Sequence, residues 1–168
     1  IQIGASKIQK ENIFYEMSSG NTKFGIAFSE YFGSRDSSSI NFSNEKINGK
    51  TIFAIDCDYA TDILVSDASG KIGIVSIEDK NIEIVDLITV DKTRTYKEIK
   101  FSNANVEILE NTKKNTEAIE KALDAGRIIT AADTLGASQA MLDKAVSYSK
   151  ERKQFNRVIG SFQAVKHM

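Results

Sequence analysis

The chain has 168 residues, 41% of them apolar and 27% charged, a balance that suits one or two small globular units with a real core and excludes a disordered tail. Its formal charge of −1 gives no general attraction to nucleic acid, so a bound anion must be held by local cations. The single cysteine, Cys57, cannot form an internal disulfide, and no apolar run approaches the ~18 residues of a membrane span, so a reducing, cytoplasmic setting is expected.

Ile1 stands where a start methionine would, and no signal-like region follows, which predicts a piece of a longer polypeptide. Residues 6–17, SKIQKENIFYEM, place Ile8, Ile13, Phe14 and Met17 near helical spacing behind a capping Ser6, and SSGN at 18–21 stops the pattern. From Lys23 the texture changes to short β-rich runs: KFGIAFSE, SSINFSNEKI, KTIFAID, TDILVSD, KIGIVSIED, NIEIVDLITV and TYKEIKFSNANVEIL. Asn48-Gly49 and Ser69-Gly70 read as hairpin turns between such runs, because Asn and Gly tolerate positive φ. Six or seven hairpin-linked strands predict an antiparallel β-barrel or sandwich of about ninety residues, in an α+β chain.

After Asn111 the pattern becomes helical. Asn115 or Thr116 is the expected cap, Glu117 and Glu120 suit the positive helix end, and apolar or small residues recur at Ile119, Ala122, Leu123, Ile129, Ala132, Leu135, Ala140, Leu142 and Val146. A helix over 116–150 is ~50 Å long at 1.5 Å per residue, too long for the barrel alone to cover. Its small residues Ala125, Gly126, Ala131, Ala132, Gly136, Ala137 and Ala140 predict close packing against further helices, supplied by a missing part of the chain or by another subunit.

Most catalytic signatures are missing: there is no paired-Cys metal spacing, GxSxG, P-loop or GxGxxG, and His167 is the only histidine. A metal site or a Ser-His-Asp triad is therefore not expected. Cys57 lies between Asp56 and Asp58, whose charges raise a thiol pKa, so it reads as structural. Two polar stretches remain. AFSEYFGSRDSSS (27–39) offers hydroxyls and backbone N–H groups after a strand, for a ligand or simply for water. YSKERKQFNRVIGSFQ (148–163) gathers Arg152, Lys153 and Arg157 at a helix C-terminus, where cations suit either the helix dipole or an anion.

Taken in order, these segments resemble the FAD-dependent acyl-CoA dehydrogenases. GASKIQKENIFYEMSSGNTKFGIAFSE is similar to the family's helix, Gly-turn and strand ending Thr-Glu-Pro; EYFGSRD to the Gly-Ser-Asp loop that follows; INGKTIFAIDCDYATDILV to the Asn-Gly-x-Lys hairpin and the next strand. AADTLGASQAMLDKAVSYSKERKQFNRVIGSFQAVKH resembles the first long C-terminal helix with its Arg-x-Gln-Phe-Gly ending. The resemblance implies that 1–22 end an N-terminal helical domain, that 23–110 form the central β-barrel, and that 111–168 begin a helical bundle with its first helix (about 116–150) and the start of a second.

It also implies a site. Phe28, Ser29, Gly33 and Ser34 match positions around the flavin ring and the thioester end of the substrate, and Phe53 and Ile55 match an aromatic that stacks on the flavin and a threonine at its reactive edge. Arg152 matches a partner of the FAD pyrophosphate in the neighbouring subunit, with Gln154, Phe155, Ile159, Phe162 and Gln163 further along that cofactor. Asp124 and Arg127 match positions near acyl-CoA, and with Ser34 they are the expected substrate contacts. The chain departs from the family at Ile55, which has no hydroxyl, at Tyr31 in place of proline, at Cys57 and Asn156 in place of glycine, and in a loop after Glu30 that is one residue shorter.

Family chemistry moves an α-proton to a glutamate and a β-hydride to the flavin, yielding the 2-enoyl thioester and passing electrons to an electron-transfer flavoprotein. In most members that glutamate lies beyond the position of Met168; in a minority it lies where Gly126 stands, so no catalytic residue is expected within residues 1–168. The expectation is an acyl-CoA dehydrogenase of fatty acid metabolism, a homodimer or homotetramer sharing FAD across subunits. The rivals are an oxygen-using acyl-CoA oxidase or monooxygenase relative and a non-catalytic, degenerate subunit.

Overall fold

Ser6 opens α1 (Lys7–Ser18) with a capping box: its hydroxyl accepts from the Gln9 backbone N–H at 3.3 Å, and Gln9 Oε1 accepts from Ser6 N–H at 3.1 Å. The anticipated apolar face is not what docks this helix, because Ile8 is 72% exposed and Phe14 and Met17 are exposed as well. The buried residue is Gln9, whose amide donates to Glu107 Oε1 and the Ile108 carbonyl and whose Oε1 accepts from Glu110 N–H. A satisfied amide can be buried where an unsatisfied one could not.

The computed structural model describes residues 1–32 and 39–167. Two compact units divide inside the long helix, Ile1–Lys121 and Ala122–Met168. The first carries β1 (Phe24–Ala27), a 3₁₀ turn (Ser29–Phe32), β2 (Asn41–Ser43), β3 (Lys46–Ile55), β4 (Asp62–Ser66), β5 (Ile72–Ser76), β6 (Ile82–Leu87), β7 (Tyr96–Asn105) and β8 (Glu107–Ile108). The strands form one sheet in the order β6-β7-β3-β1-β4-β5-β8, with β2 also paired to β3. The terminal strands of this path do not pair with each other, so the barrel does not close, and a folded-over sandwich describes the sheet. Nor is it wholly antiparallel: β1 runs parallel to β4, from Phe24↔Asp62 to Ala27↔Val65. Hairpin-by-hairpin reading could not find that pair, because the chain makes β2 and β3 between the two partners.

Alternation supplies the core. Ala27, Ile47, Ala54, Ile63, Val65, Val75, Ile99 and Ala104 are fully buried and cluster with Ile40, Cys57, Phe101 and Val106. Asn48-Gly49 is not a turn. The hairpin turns at Asn44 and Glu45, with φ of 50° and 57°, while Asn48-Gly49 lies within β3. Gly49 has φ 118°, and a Cβ there would fall 1.9 Å from the Ser39 carbonyl oxygen. The register slips after Ile47, and Asn48 Oδ1 takes the Asn103 N–H at 2.8 Å. Ser69-Gly70 does turn between β4 and β5, with Gly70 N–H donating to the Asp67 carbonyl at 3.1 Å.

α2 spans Asn115–Glu151, preceded by a 3₁₀ turn at Thr112–Lys114. Asn115 is not a cap: its backbone is helical and its side chain is fully buried, as is Ile119. From Ala122 onward the helix is exposed apart from the half-buried Leu123 and Ser149, with Ile128, Ile129, Leu135, Met141, Leu142 and Val146 among the exposed residues. In the second unit α2 is followed by β9 (Lys153–Gln154), β10 (Arg157–Val158), a 3₁₀ turn (Ile159–Ser161) and α3 (Gln163–Lys166). Among the described residues no helix is long and apolar enough to cross a membrane, and no cluster of His, Cys, Asp and Glu could hold a metal ion.

Candidate functional site

In the first unit the site residues follow from how β1 ends. After Ala27 the half-buried Phe28 leads into the 3₁₀ turn, which packs on β3 and β4. Ser29 Oγ lies 2.8 Å from Thr51 Oγ1. Thr51 is fully buried, so its hydroxyl is held by this pairing and in turn fixes the Ser29 side chain. Two residues on, the Tyr31 hydroxyl donates to Glu120 Oε1 at 2.8 Å, which ties the turn to the first turns of α2. That hydrogen bond, ahead of burial and the nearby charge, holds the Tyr31 pKa above its ordinary value. A Cβ on Gly70, whose φ is 83°, would lie 2.9 Å from Thr116 Oγ1 and 3.2 Å from the Tyr31 ring. Gly33 and Ser34, the other predicted members of this loop, lie outside the described residues.

Phe53 is placed by a β-bulge. The ladder runs Thr51↔Ile99 and then Ala54↔Lys97, so Ile52 and Phe53 together oppose one residue of β7. Phe53 takes φ 57° and is 57% exposed, its ring edge-to-face with Tyr96 at 6.3 Å. A bulky residue in that backbone region costs about 1–2 kcal/mol, and backbone strain of this kind gathers at ligand-binding positions. Ile55, two residues on, is 37% exposed and borders a groove of about 580 Å³ whose walls include Phe24, Tyr59, Arg94 and Tyr96. Sequence reasoning missed Thr51, Tyr96 and Tyr59. Thr51 carried the faint signal of a hydroxyl inside an apolar strand; Tyr96 carried none, since only the pairing of β3 with the distant β7 brings it there.

Cys57, beside this edge, is 3% exposed, and a Cβ on Gly25 would fall 2.6 Å from its Sγ. Its thiol is pushed up to about 11, by burial first; Lys97 opposes the rise, and Asp56 and Asp58 add to it. The flanking carboxylates act in the expected direction but are not the main cause.

In the second unit Asp124 and Arg127 pair at 2.8 Å on an exposed helix face, and Gly126 between them has open space around its Cα. Beyond the helix, Arg152 N–H donates to the Tyr148 carbonyl and the Arg152 carbonyl accepts from Ile159 N–H at 2.8 Å. These bonds fold the segment back as a hairpin in which Gln154 pairs with Arg157, around a two-residue turn of Phe155 (φ 50°) and Asn156 (φ 62°). Asn156, where the resemblance implies glycine, thus adopts the left-handed backbone that asparagine tolerates. Arg152, Gln154, Phe155 and Gln163 are exposed, while Ile159 and Phe162 are half-buried. Among the described residues neither Arg152 nor Arg157 has an ion-pair partner. The second unit therefore gathers the predicted nucleotide-contacting residues on one hairpin and the short turn and helix that follow it, and the first gathers Phe28, Ser29, Phe53 and Ile55 at one region of the sheet.

Residues 116–168 match the family model described as acyl-CoA dehydrogenase, C-terminal domain. Over 98% of its length the chain is 29% identical to a probable acyl-CoA dehydrogenase, YngJ, of Bacillus subtilis, of which it covers 50%. A 45-residue stretch, 27% of the chain, is 58% identical to 3-(aryl)acrylate reductase of Clostridium sporogenes and covers 12% of it. Among solved structures, an acyl-CoA dehydrogenase from Geobacillus kaustophilus superposes with a TM-score of 0.80 at 19% identity, over 96% of this chain and 48% of that one. The chain thus spans about half the length of the YngJ relative. Family model, end-to-end alignment and fold agree in likening the chain to the acyl-CoA dehydrogenases, the family model over residues 116–168 and the fold over nearly the whole chain.

Proposed function

We propose that this chain is the central part of a flavin-dependent enzyme that interconverts acyl-CoA and 2-enoyl-CoA thioesters. The observation that carries the reading is Phe53, an exposed aromatic held at φ 57° by a bulge beside the Ser29–Thr51 hydroxyl pair. An exposed aromatic two residues from Thr51, whose buried hydroxyl fixes the Ser29 side chain, suits a polar heteroaromatic ring. The exposed arginines and aromatics of the hairpin suit a diphosphate and an adenine. The residues present therefore fit FAD, which when bound supplies a hydride acceptor. Phe28, Ser29, Gly33, Ser34, Phe53 and Ile55 would hold its ring. Arg152, Gln154, Phe155, Ile159, Phe162 and Gln163 of a second copy would hold its pyrophosphate and adenosine portions, which makes the active protein a homodimer or a larger oligomer.

Within that reading, Ser29 orients the ring, and Ser34, Asp124 and Arg127 bind the acyl-CoA. Ile55 offers only its backbone where the family pattern has a hydroxyl. Gly126 has no side chain to take the α-proton, so the base is supplied from outside residues 1–168. Residues 1–22, 23–110 and 111–168 are then parts of three family domains. Electrons leave through an electron-transfer flavoprotein, in the cytoplasm.

The test is anaerobic addition of acyl-CoA thioesters to the full-length protein. Bleaching of the flavin absorbance, with turnover only when an electron-transfer flavoprotein is added, is the expected result; a colourless protein that takes up no FAD overturns it. The similarity to the Clostridium 3-(aryl)acrylate reductase favours a second reading, in which the working direction is reduction of an arylacrylate-type double bond. Reoxidation of the pre-reduced protein by an aryl-2-enoyl thioester, with no bleaching by the saturated one, would select it.

A further inference from the structure

Phe155 sits in a place that local preference does not explain. Two-residue hairpin turns with positive φ at both positions favour Asn and Gly; Asn156 suits the second position, but Phe155 takes φ 50° at the first while its side chain is 89% exposed. What holds its ring is a stack. Phe155 meets Phe162 edge-to-face at 6.2 Å with 81° between planes, and the Arg157 guanidinium carbon lies 3.8 Å above the centre of the Phe162 ring.

The backbone of this segment does not need that stack. It is tied to the helix end by the bonds joining Ile159 to Arg152 and Arg152 to Tyr148, and by the ladder contacts of Lys153–Gln154 with Arg157–Val158. Ser149 closes against Gly160, where a Cβ would lie 3.0 Å from the Ser149 carbonyl oxygen. A guanidinium stacked by its face keeps its N–H donors at its rim, and among the described residues no carboxylate takes those of Arg157. The arrangement combines the exposed Phe155 ring with a cation that has no carboxylate partner among the described residues.

We infer that Arg157 is a positioning residue: stacked on Phe162, it presets Phe162 and Phe155 as a platform for the adenosine diphosphate half of FAD. This rests on the reading given under Proposed function and adds to it a residue outside the family-matched set. Ordering the two rings in advance lowers the entropy cost of binding. Only ligands that carry the adenosine portion gain from it.

The experiment measures FAD and FMN affinities of the full-length apoprotein by flavin fluorescence, for the wild type, Arg157→Gln and Arg157→Lys. FMN shares the flavin ring and lacks the adenosine. Arg157→Gln is expected to weaken FAD binding about three- to tenfold, as loss of a cation–π contact implies, with FMN affinity and Tm unchanged; Arg157→Lys, which keeps the cation but not the planar fork, falls between. Equal losses for FAD and FMN, or no loss for FAD, overturn the inference while leaving the flavin reading intact. A wild type that binds neither flavin overturns both. Phe162→Leu guards against a folding artefact: Arg157→Gln added to it should cost nothing further, and an undiminished effect in that background overturns the role of the stack.

Discussion

Lys97 illustrates how a single side chain is committed to its surroundings. It is 12% exposed and pairs with Asp58 at 2.5 Å and also with Asp86, while Thr95 donates to Asp58. The Asp58 pKa is lowered, first by the Lys97 hydrogen bond and then by Thr95; that of Lys97 is raised, first by Asp58 and then by Asp86. The signs follow from linkage. A depressed carboxylate stabilises the fold above its unfolded value, near ~3.9, and loses that contribution as pH falls through the folded value; a raised lysine stabilises below ~10.4 and loses it above the folded value. Lys97→Met is therefore expected to lower Tm at neutral pH and to flatten the further fall toward about pH 3, measured by thermal melts across pH. An unchanged profile would sink the assignment. Little of this is readable in the sequence, since Asp58 and Lys97 meet only because β3 lies beside β7. The Ser6 cap, by contrast, is legible, because its partner Gln9 is three residues away and the spacing alone makes the box.

At the scale of elements, β3 carries more than its length suggests. It pairs with β1, β2 and β7, and it departs from regularity twice, at Asn48-Gly49 and at Ile52-Phe53. Gly49→Ala is expected to cost about 3 kcal/mol in urea unfolding, because φ 118° and the Ser39 carbonyl both exclude a Cβ; a loss under about 1 kcal/mol would mean the segment simply shifts. Composition predicts a turn at Asn-Gly, and it is right about the backbone freedom but wrong about its use. The real turn, at Asn44-Glu45, includes a glutamate with φ 57°, for which no short-range signal exists. The strands themselves are legible because apolar alternation has a period of two. Their order is not, because pairing is settled by distant partners. Similarly, the hairpin at 153–158 is readable at Asn156 alone, and the Phe155–Phe162–Arg157 stack becomes visible only once the chain has doubled back.

For the whole molecule, the exposed stretch of α2 is informative. Ala125, Ile128, Ala132, Leu135, Gln139, Leu142 and Val146 repeat at alternating steps of three and four, a seam that suits a neighbouring helix at a shallow crossing angle. A polypeptide of residues 1–168 by itself is expected to self-associate and to bind a hydrophobic dye, and Leu135→Lys with Leu142→Lys should reduce both, as judged by sedimentation and fluorescence. A monomer that binds no dye would contradict the seam. The sheet carries a different consequence, one of timing. β1 precedes the other strands of the described sheet in the chain, yet its seat lies between β3 and β4, so it is not paired on both edges until both have followed. The β2–β3 and β4–β5 hairpins can form locally, but among the described strands the ladder joins the two halves of the sheet through β1, and joining them closes long loops. The folding barrier therefore belongs to the placement of a four-residue strand, and an arrested chain lacking β4 would leave the parallel edge of Phe24–Ala27 open to other nascent chains.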